Sequence, residues 1–342
     1  MAQRIAFDDV KIEKTAIIGA GGWGTALAAL WGKGGRDILL WGNNAQRALR
    51  LQERRENSDY LPGVILPSSV RVTSNLVDCA DADLVVFVTP STALREIAMR
   101  FRQAIPNSTA VLLSCTKGIE HGTGMRMSQI LEEIFPDRLT AVLSGPNLAV
   151  EISRELPTAT VLGCRDSSCA QALQQHLGRP RFRIYTSDEI TGIELGGALK
   201  NVFAIPAGVS DGLGLGDNSK AALVTRSLAE LLRLGTAMGG QPRTFYGLSG
   251  AGDLIATCFS QHSRNRRVGD ELGRGKSLAA VTAAMHTIPE GVPTTKSAYE
   301  CARRLNIETP IIDQAYALLY EGKQPLEALE ELLKRDQKAE GI

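Results

Sequence analysis

Residues 15–24 read TAIIGAGGWG. A short apolar, partly β-branched run ends at Gly19, and Gly19-x-Gly21-x-x-Gly24 passes directly into Thr25-Ala26-Leu27-Ala28-Ala29-Leu30, a helix-forming stretch. Strand, glycine turn and helix in immediate succession is the context that a dinucleotide fingerprint requires. Gly19 allows the tight turn, Gly21 lets backbone approach a pyrophosphate, and Gly24 lets the helix lie close to the strand. The free N–H groups of that helix's first turn and the positive end of its dipole then meet the phosphates. An ordinary glycine-rich βα turn is the plainer alternative. NAD or NADP is the expected ligand.

Working outward, the first half alternates apolar runs with helical patterns. Strands are expected at 37–41 (DILLW), 70–73, 83–89 (DLVVFVT), 110–115, 140–144, 158–162 and 183–186. Helical patterns fall between them, as at 93–103 and 125–135. Near-continuous apolar strands separated by helices predict a parallel sheet covered on both faces, a doubly wound Rossmann-type α/β domain. From about residue 187 strand-like runs vanish. Helices are expected at 190–209, 219–234, 253–258, 264–272, 278–285, 295–305 and 311–320. The chain therefore divides into a dinucleotide-binding domain over 1–188 and an all-helical substrate domain over 189–342, two domains being the natural expectation for 342 residues.

Composition narrows the partners. Thirty-eight Lys and Arg against 37 Asp and Glu give net +1, which leaves no global field for nucleic acid or a membrane surface. No apolar run approaches the roughly 20 residues that cross a bilayer. Residues 1–14 carry acids and lack an apolar core, so they read as a short extension and not a signal peptide. The six cysteines show neither a CxxC pair nor zinc spacing, and read as reduced thiols in a cytoplasmic protein. His121, His176, His262 and His286 form no triad or metal pattern, and no metal site is expected.

Ligands of doubly wound sheets bind beyond the carboxyl ends of the strands. After the second strand, where an acid would select NAD, stand Asn43 and Asn44, with Arg47 a turn further on. The choice between NAD and NADP stays open. Lys117 follows the strand at 110–115, and Gly145 and Asn147 follow that at 140–144. In the helical half, Lys200 and Asn201 come directly after Gly196 and Gly197, two glycines inside a helix that cost about 1 kcal/mol each. A lysine leaning back over that gap would stand beside a flat, bulky ligand. Close helix packing with Lys200 snorkelling outward is the alternative. The loop 247–252 ends at Asp253, which either caps the next helix or fixes a lysine. Ser263 can cap the helix that begins Arg264-Asn265-Arg266-Arg267, whose arginines suit a phosphate or a solvated face. Glu290, in the turn Pro289-Glu290-Gly291, could reach a ribose or amide.

GAGGWGTALA (19–28), TKGIE (116–120), LSGPN (143–147), LPTA (156–159), GGALKNVFAIPAGVSDGLGLGDNSKAAL (196–223), GLSGAGDL (247–254), SRNRRVG (263–269) and PEG (289–291) together resemble the NAD(P)-dependent glycerol-3-phosphate dehydrogenases. The resemblance implies a Rossmann domain with a helical substrate domain and a cytoplasmic homodimer. It implies interconversion of dihydroxyacetone phosphate and sn-glycerol 3-phosphate for glycerophospholipid synthesis. By position, Lys200 corresponds to the catalytic lysine, helped by Lys117 and Asp253. Lys117, Gly145, Asp253, Ser263, Arg264 and Asn265 correspond to substrate contacts, with Asn147, Asn201 and Thr257 beside them. Gly22, Trp23, Asn43, Lys117, Ala149, Arg264 and Glu290 correspond to cofactor contacts, along with the fingerprint glycines Gly19, Gly21 and Gly24. Members often carry Arg or His at the position of Asn43, and Ser or Thr at that of Asn147. Two rivals remain: a dehydrogenase of carboxylate substrates on the same plan, and a non-catalytic dinucleotide sensor, which would need neither lysine nor Asp253.

Overall fold

The computed structural model describes residues 12–336 and residue 339. Residues 1–11 of the expected N-terminal extension and most of the polar tail lie outside the described residues. The chain forms two compact units, one running up to Lys117 and resuming over Arg126–Ile190, the other comprising Gly118–Met125 and the chain from Thr191 onward.

The first unit is built on strands β1 (Lys14–Ile18), β2 (Asp37–Trp41), β3 (Val70–Thr73), β4 (Leu84–Phe87), β5 (Val111–Ser114), β6 (Thr140–Ser144), β7 (Thr158–Cys164) and β8 (Phe182–Ser187). Its helices are α1 (Gly22–Gly32), α2 (Ala45–Arg54), α3 (Leu94–Ala104), α4 (Met127–Ile134), α5 (Ala149–Ser153) and α6 (Ser167–Leu177). The sheet order is β3-β2-β1-β4-β5-β6-β7-β8, so the order reverses at β1, between β2 and β4. That is the switch point at which doubly wound sheets open a crevice beyond their carboxyl ends. Ile17, Ile18, Leu40, Val86 and Leu113 are fully buried, as strands covered on both faces require.

Two expectations need correction. The sheet is not wholly parallel, because β7 runs antiparallel to β6 while pairing in parallel with β8. The helix linking them, α5, has only five residues, a rise of about 7.5 Å. Strand β6, also of five residues, spans about 17 Å. So short a crossover does not return the chain to the starting end of the sheet, and β7 sets out from the end it has reached. The strand expected at 83–89 is also shorter. Asp83, just before β4, keeps its backbone bonds to Lys14 O and Val111 N, while its carboxylate accepts from both Glu13 N and Lys14 N at 2.9 Å, fastening the start of β1.

The second unit is helical: α7 (Ile190–Gly212), α8 (Gly216–Ala237), α9 (Pro242–Phe245), α10 (Asp253–Phe259), α11 (Arg264–Gly273), α12 (Leu278–Ala283), α13 (Gly291–Arg304), α14 (Pro310–Tyr320) and α15 (Pro325–Leu333). Its axis is α7, apolar on nearly every face, with Leu195, Leu199, Phe203 and Ala207 all at zero exposure. A helix hydrophobic all round is one enclosed by others. It meets α11 backbone to backbone. A Cβ on Gly208 would lie 1.9 Å from Arg266 O, and one on Gly269 1.8 Å from Ile205 O. The excursion of residues 118–125 contributes Ile119 to this core and His121, whose Nδ1 lies 3.1 Å from Glu300. Among the described residues no helix is long and apolar enough to cross a membrane. No group of three or more His, Cys, Asp or Glu among them could hold a metal ion. All six cysteines are buried and none forms a disulfide.

Candidate active site

In the sheet unit the fingerprint glycines do three different jobs. Gly19 sits at φ +132°, and a Cβ there would lie 2.6 Å from Val88 O. At Gly24 a Cβ would lie 1.8 Å from Gly19 O, so the helix rests directly on the turn. Around Gly21 nothing lies within 4 Å of where a Cβ would be. Gly21 is also the N-cap of α1 and offers no side-chain cap. The first-turn N–H groups, Gly22 and Trp23 among them, therefore face an open concavity with the helix dipole behind them. A pyrophosphate fits that cradle. Nothing in the sequence singled out Asn57, whose Nδ2 donates to Ala20 O (3.0 Å) and Thr25 Oγ1 (2.7 Å) and braces the turn from below.

Other groups gather at the same end of the sheet. Lys117, after β5, donates from Nζ to Gly145 O at 2.9 Å, after the neighbouring β6. Asn147 donates to Thr160 Oγ1 at 3.0 Å, and its Oδ1 is buried with no partner. Ala149 opens α5. Asn43, just past β2, is exposed and accepts from Arg100 Nη1 at 3.0 Å.

The helical unit holds a charged cluster of a different kind. Lys200 on α7 is 7% exposed and Asp253 at the start of α10 only 2%. Lys200 Nζ lies 2.9 Å from Asp253 Oδ1 and donates to Thr257 Oγ1 at 2.6 Å. Thr257, one turn beyond Asp253, donates in turn to Asp253 Oδ1 at 3.2 Å. Ammonium, carboxylate and hydroxyl thus form a closed triangle largely shielded from bulk water. Burial pushes the neighbouring Cys258 thiol up to about 12, so it stays protonated. A second network ties three helices. Asn265 Nδ2 donates to Asn201 Oδ1, and Gly291 N donates to Asn265 Oδ1, both at 2.8 Å.

Against this geometry stand the comparisons with known proteins. The model described as NAD-dependent glycerol-3-phosphate dehydrogenase N-terminus matches residues 14–170, and the corresponding C-terminus model matches residues 189–330. The glycerol-3-phosphate dehydrogenase [NAD(P)+] of Desulfitobacterium hafniense is 46% identical over 327 residues, covering 96% of this chain and 93% of its own. That of Geobacter sulfurreducens is 45% identical over 332 residues, covering 96% and 99%. The chain belongs to the NAD-dependent glycerol-3-phosphate dehydrogenase family. A crystal structure of glycerol-3-phosphate dehydrogenase from Coxiella burnetii superposes with TM-score 0.91 at 35% identity, covering 95% of this chain and 99% of that one.

Several family-position residues have structural duties here. Ser263 caps α11 by accepting from Arg266 N at 3.2 Å, as its place in the sequence foretold. Arg264 is exposed, and its Nη1 reaches Thr287 Oγ1 at 2.6 Å. Arg266 is committed elsewhere: its Nε lies 2.6 Å from Asp211, which Lys220 also holds at 2.8 Å. Glu290 stands immediately before α13. Asp253 is not a cap, which corrects that alternative. Residues Leu248–Gly252 form a wide π-type turn closed by Gly252 N donating to Gly247 O, so α10 begins after Gly252 and the carboxylate points inward. Nor does Lys200 snorkel to the surface. The gap beside Gly196 is already filled, since a Cβ there would lie 2.7 Å from Ser249 O and 3.1 Å from Gly250 Cα. Gly196 therefore brings the Ser249 turn against α7 and makes no room for a ligand.

Proposed function

We propose that this chain interconverts dihydroxyacetone phosphate and sn-glycerol 3-phosphate with NAD(P)H, supplying the backbone of glycerophospholipids. The observation that carries the proposal is the buried Lys200–Asp253–Thr257 triangle, on a chain that also has the glycine cradle. A sensor of dinucleotides needs the cradle alone, whereas a buried, carboxylate-held ammonium is the equipment for moving a proton.

When bound, the reduced nicotinamide supplies the hydride that converts the carbonyl carbon into a secondary alcohol. As negative charge grows on the carbonyl oxygen, Lys200 stabilises it and delivers the proton; in reverse its amine takes the alcohol proton. Asp253 and Thr257 act through Lys200, holding Nζ at one point. Lys117, braced by Gly145, is the second cation that the family position assigns to the reaction. Arg264 grips the substrate phosphate by a charge-assisted pair, with the Ser263-capped first turn of α11 and Asn265 behind it. Asn201 keeps Asn265 in place, and the orphaned Oδ1 of Asn147 is an acceptor for a substrate hydroxyl. Gly21, Gly22 and Trp23 offer backbone to the dinucleotide phosphates on a turn shaped by Gly19 and Gly24, and Ala149, Asn43, Glu290 and Arg264 are cofactor contacts by family position. A cytoplasmic homodimer completes the reading.

Oxidation of NADPH and NADH followed by absorbance, with dihydroxyacetone phosphate or unphosphorylated dihydroxyacetone as acceptor, tests it. The phosphorylated triose should be preferred by at least about 10²-fold in kcat/KM, because buried and charged phosphate-binding groups are left unpaired by the other. Equal rates with both, or no turnover of either, would overturn it.

A further inference from the structure

Resting on the dehydrogenase reading, we infer that Arg100 sets the cofactor preference of this chain, selecting the dinucleotide that carries a 2′-phosphate. The adenosine ribose of a doubly wound domain lies past the second strand, where an acid accepts the NAD hydroxyls. Here β2 ends at Trp41, and the next residue packs on the fingerprint turn: a Cβ on Gly42 would lie 3.2 Å from Ala20 Cβ. Asn43 and Asn44 follow, and neither carries charge. Asn44 is committed to capping α2, accepting from Arg47 N at 2.9 Å.

The missing charge arrives from elsewhere in the sequence. Arg100, near the end of α3, donates from Nη1 to Asn43 Oδ1 at 3.0 Å, and its guanidinium lies over the Trp41 ring at 5.8 Å. Glu96, four residues earlier on the same exposed helix face, is a counter-charge at 3.7 Å. A second guanidinium stands near, that of Arg47, bonded to Tyr60 Oη at 2.8 Å and lying over that ring at 5.7 Å. Tyr60 itself borders the cradle, its backbone oxygen 3.0 Å from where a Cβ on Gly22 would be. Two arginines each standing over an aromatic ring, with no acid at the strand end, suit a dianion and offer a bare 2′-hydroxyl little. Arg100 carries the choice because its guanidinium is bonded to the residue at the ribose position, whereas that of Arg47 is bonded to Tyr60.

Calorimetric titration of the full-length protein with 2′,5′-ADP and with 5′-AMP reads this without turnover. The unaltered protein should bind 2′,5′-ADP at least about tenfold more tightly, the scale of one charge-assisted contact. Arg100→Gln should erase most of that difference while 5′-AMP affinity stays within about twofold, and Arg100→Lys should restore part of it. Equal affinities in the unaltered protein would overturn the inference. So would an Arg100→Gln variant that loses both fragments alike, since Arg100 would then only be packing on Trp41. Failure of NADPH, NADH and both fragments to bind at all would instead overturn the dehydrogenase reading beneath it.

Discussion

The two units build their candidate sites from opposite materials. In the sheet unit the cradle is backbone: three glycines and a helix start with no side-chain cap and no acid in its first turn. In the helical unit the cluster is side chain: a lysine 7% exposed, a carboxylate 2% exposed and a threonine between them. The difference follows from the ligand chemistry. A pyrophosphate spreads its charge over many oxygens, and oriented N–H groups meet it with no desolvated ion in the empty protein. A proton must be delivered to one atom, which demands one ionisable group fixed in space. Fixing it by burial costs solvation, which Asp253 offsets only while the pair stays intact.

That contrast can be broken at its most expensive point. Asp253→Leu strands the Lys200 ammonium with Thr257 as its remaining triangle partner. It should cost about 3–5 kcal/mol, the cost of breaking a buried ion pair, whereas Arg100→Gln on the exposed rim should stay within about 0.5 kcal/mol. Urea midpoints of the two variants measure both. A loss below about 1 kcal/mol for Asp253→Leu would place the pair among ordinary surface bridges.

A smaller effect sharpens the comparison through pH. In the helical unit Glu230 is 1% exposed and accepts from Ile311 N and Ile312 N at 3.0 and 2.8 Å, at the start of α14. Burial outweighs those two bonds and pushes its carboxyl up to about 7. A raised folded value favours the protonated form. Its stabilising contribution is therefore complete below the ordinary carboxyl range and disappears as pH rises to about 7, by up to about 3 kcal/mol. In the sheet unit His176, against Thr15 Oγ1 at 3.2 Å, is pushed down to about 4 by burial and then by Arg36 and Arg179. Its contribution is present above the usual imidazole value and is lost as pH falls toward 4, by less, because the ring is only half-buried. Melting temperatures across this range should lose their fall toward neutral pH in Glu230→Gln and their acidic fall in His176→Gln. Unchanged profiles in both variants would contradict the assignment.

Much of the fold was legible in the chain itself. The strands at 37–41 and 140–144 coincide with their apolar runs because those runs are bounded by polar or glycine residues. The reversal of β7 was not legible, since an apolar run carries no direction and only the shortness of α5 sets it. Helix α15 escaped notice because its capping box is Gln324 with Glu327, not the Ser or Thr that marks such starts. At the site, Lys200 and Asp253 each stood out by their glycine neighbours. Their meeting across 53 positions, obtained as 253 minus 200, belongs to the packing of α7 against α10. Asn57 and Arg100 act on residues 37 and 57 positions away. A partner at that distance leaves no local pattern, so sequence periodicity passes over it.

The most direct test separates nucleotide binding from proton delivery in one protein, Lys200→Gln, whose amide can still bond Asp253 and Thr257 but holds no transferable proton. NADPH affinity by titration should stay within about twofold of the unaltered chain while kcat for dihydroxyacetone phosphate falls by about 10²–10⁴. A variant that turns over at near-normal rate, or one whose loss of kcat is matched by an equal loss of NADPH affinity, would contradict the role given to Lys200.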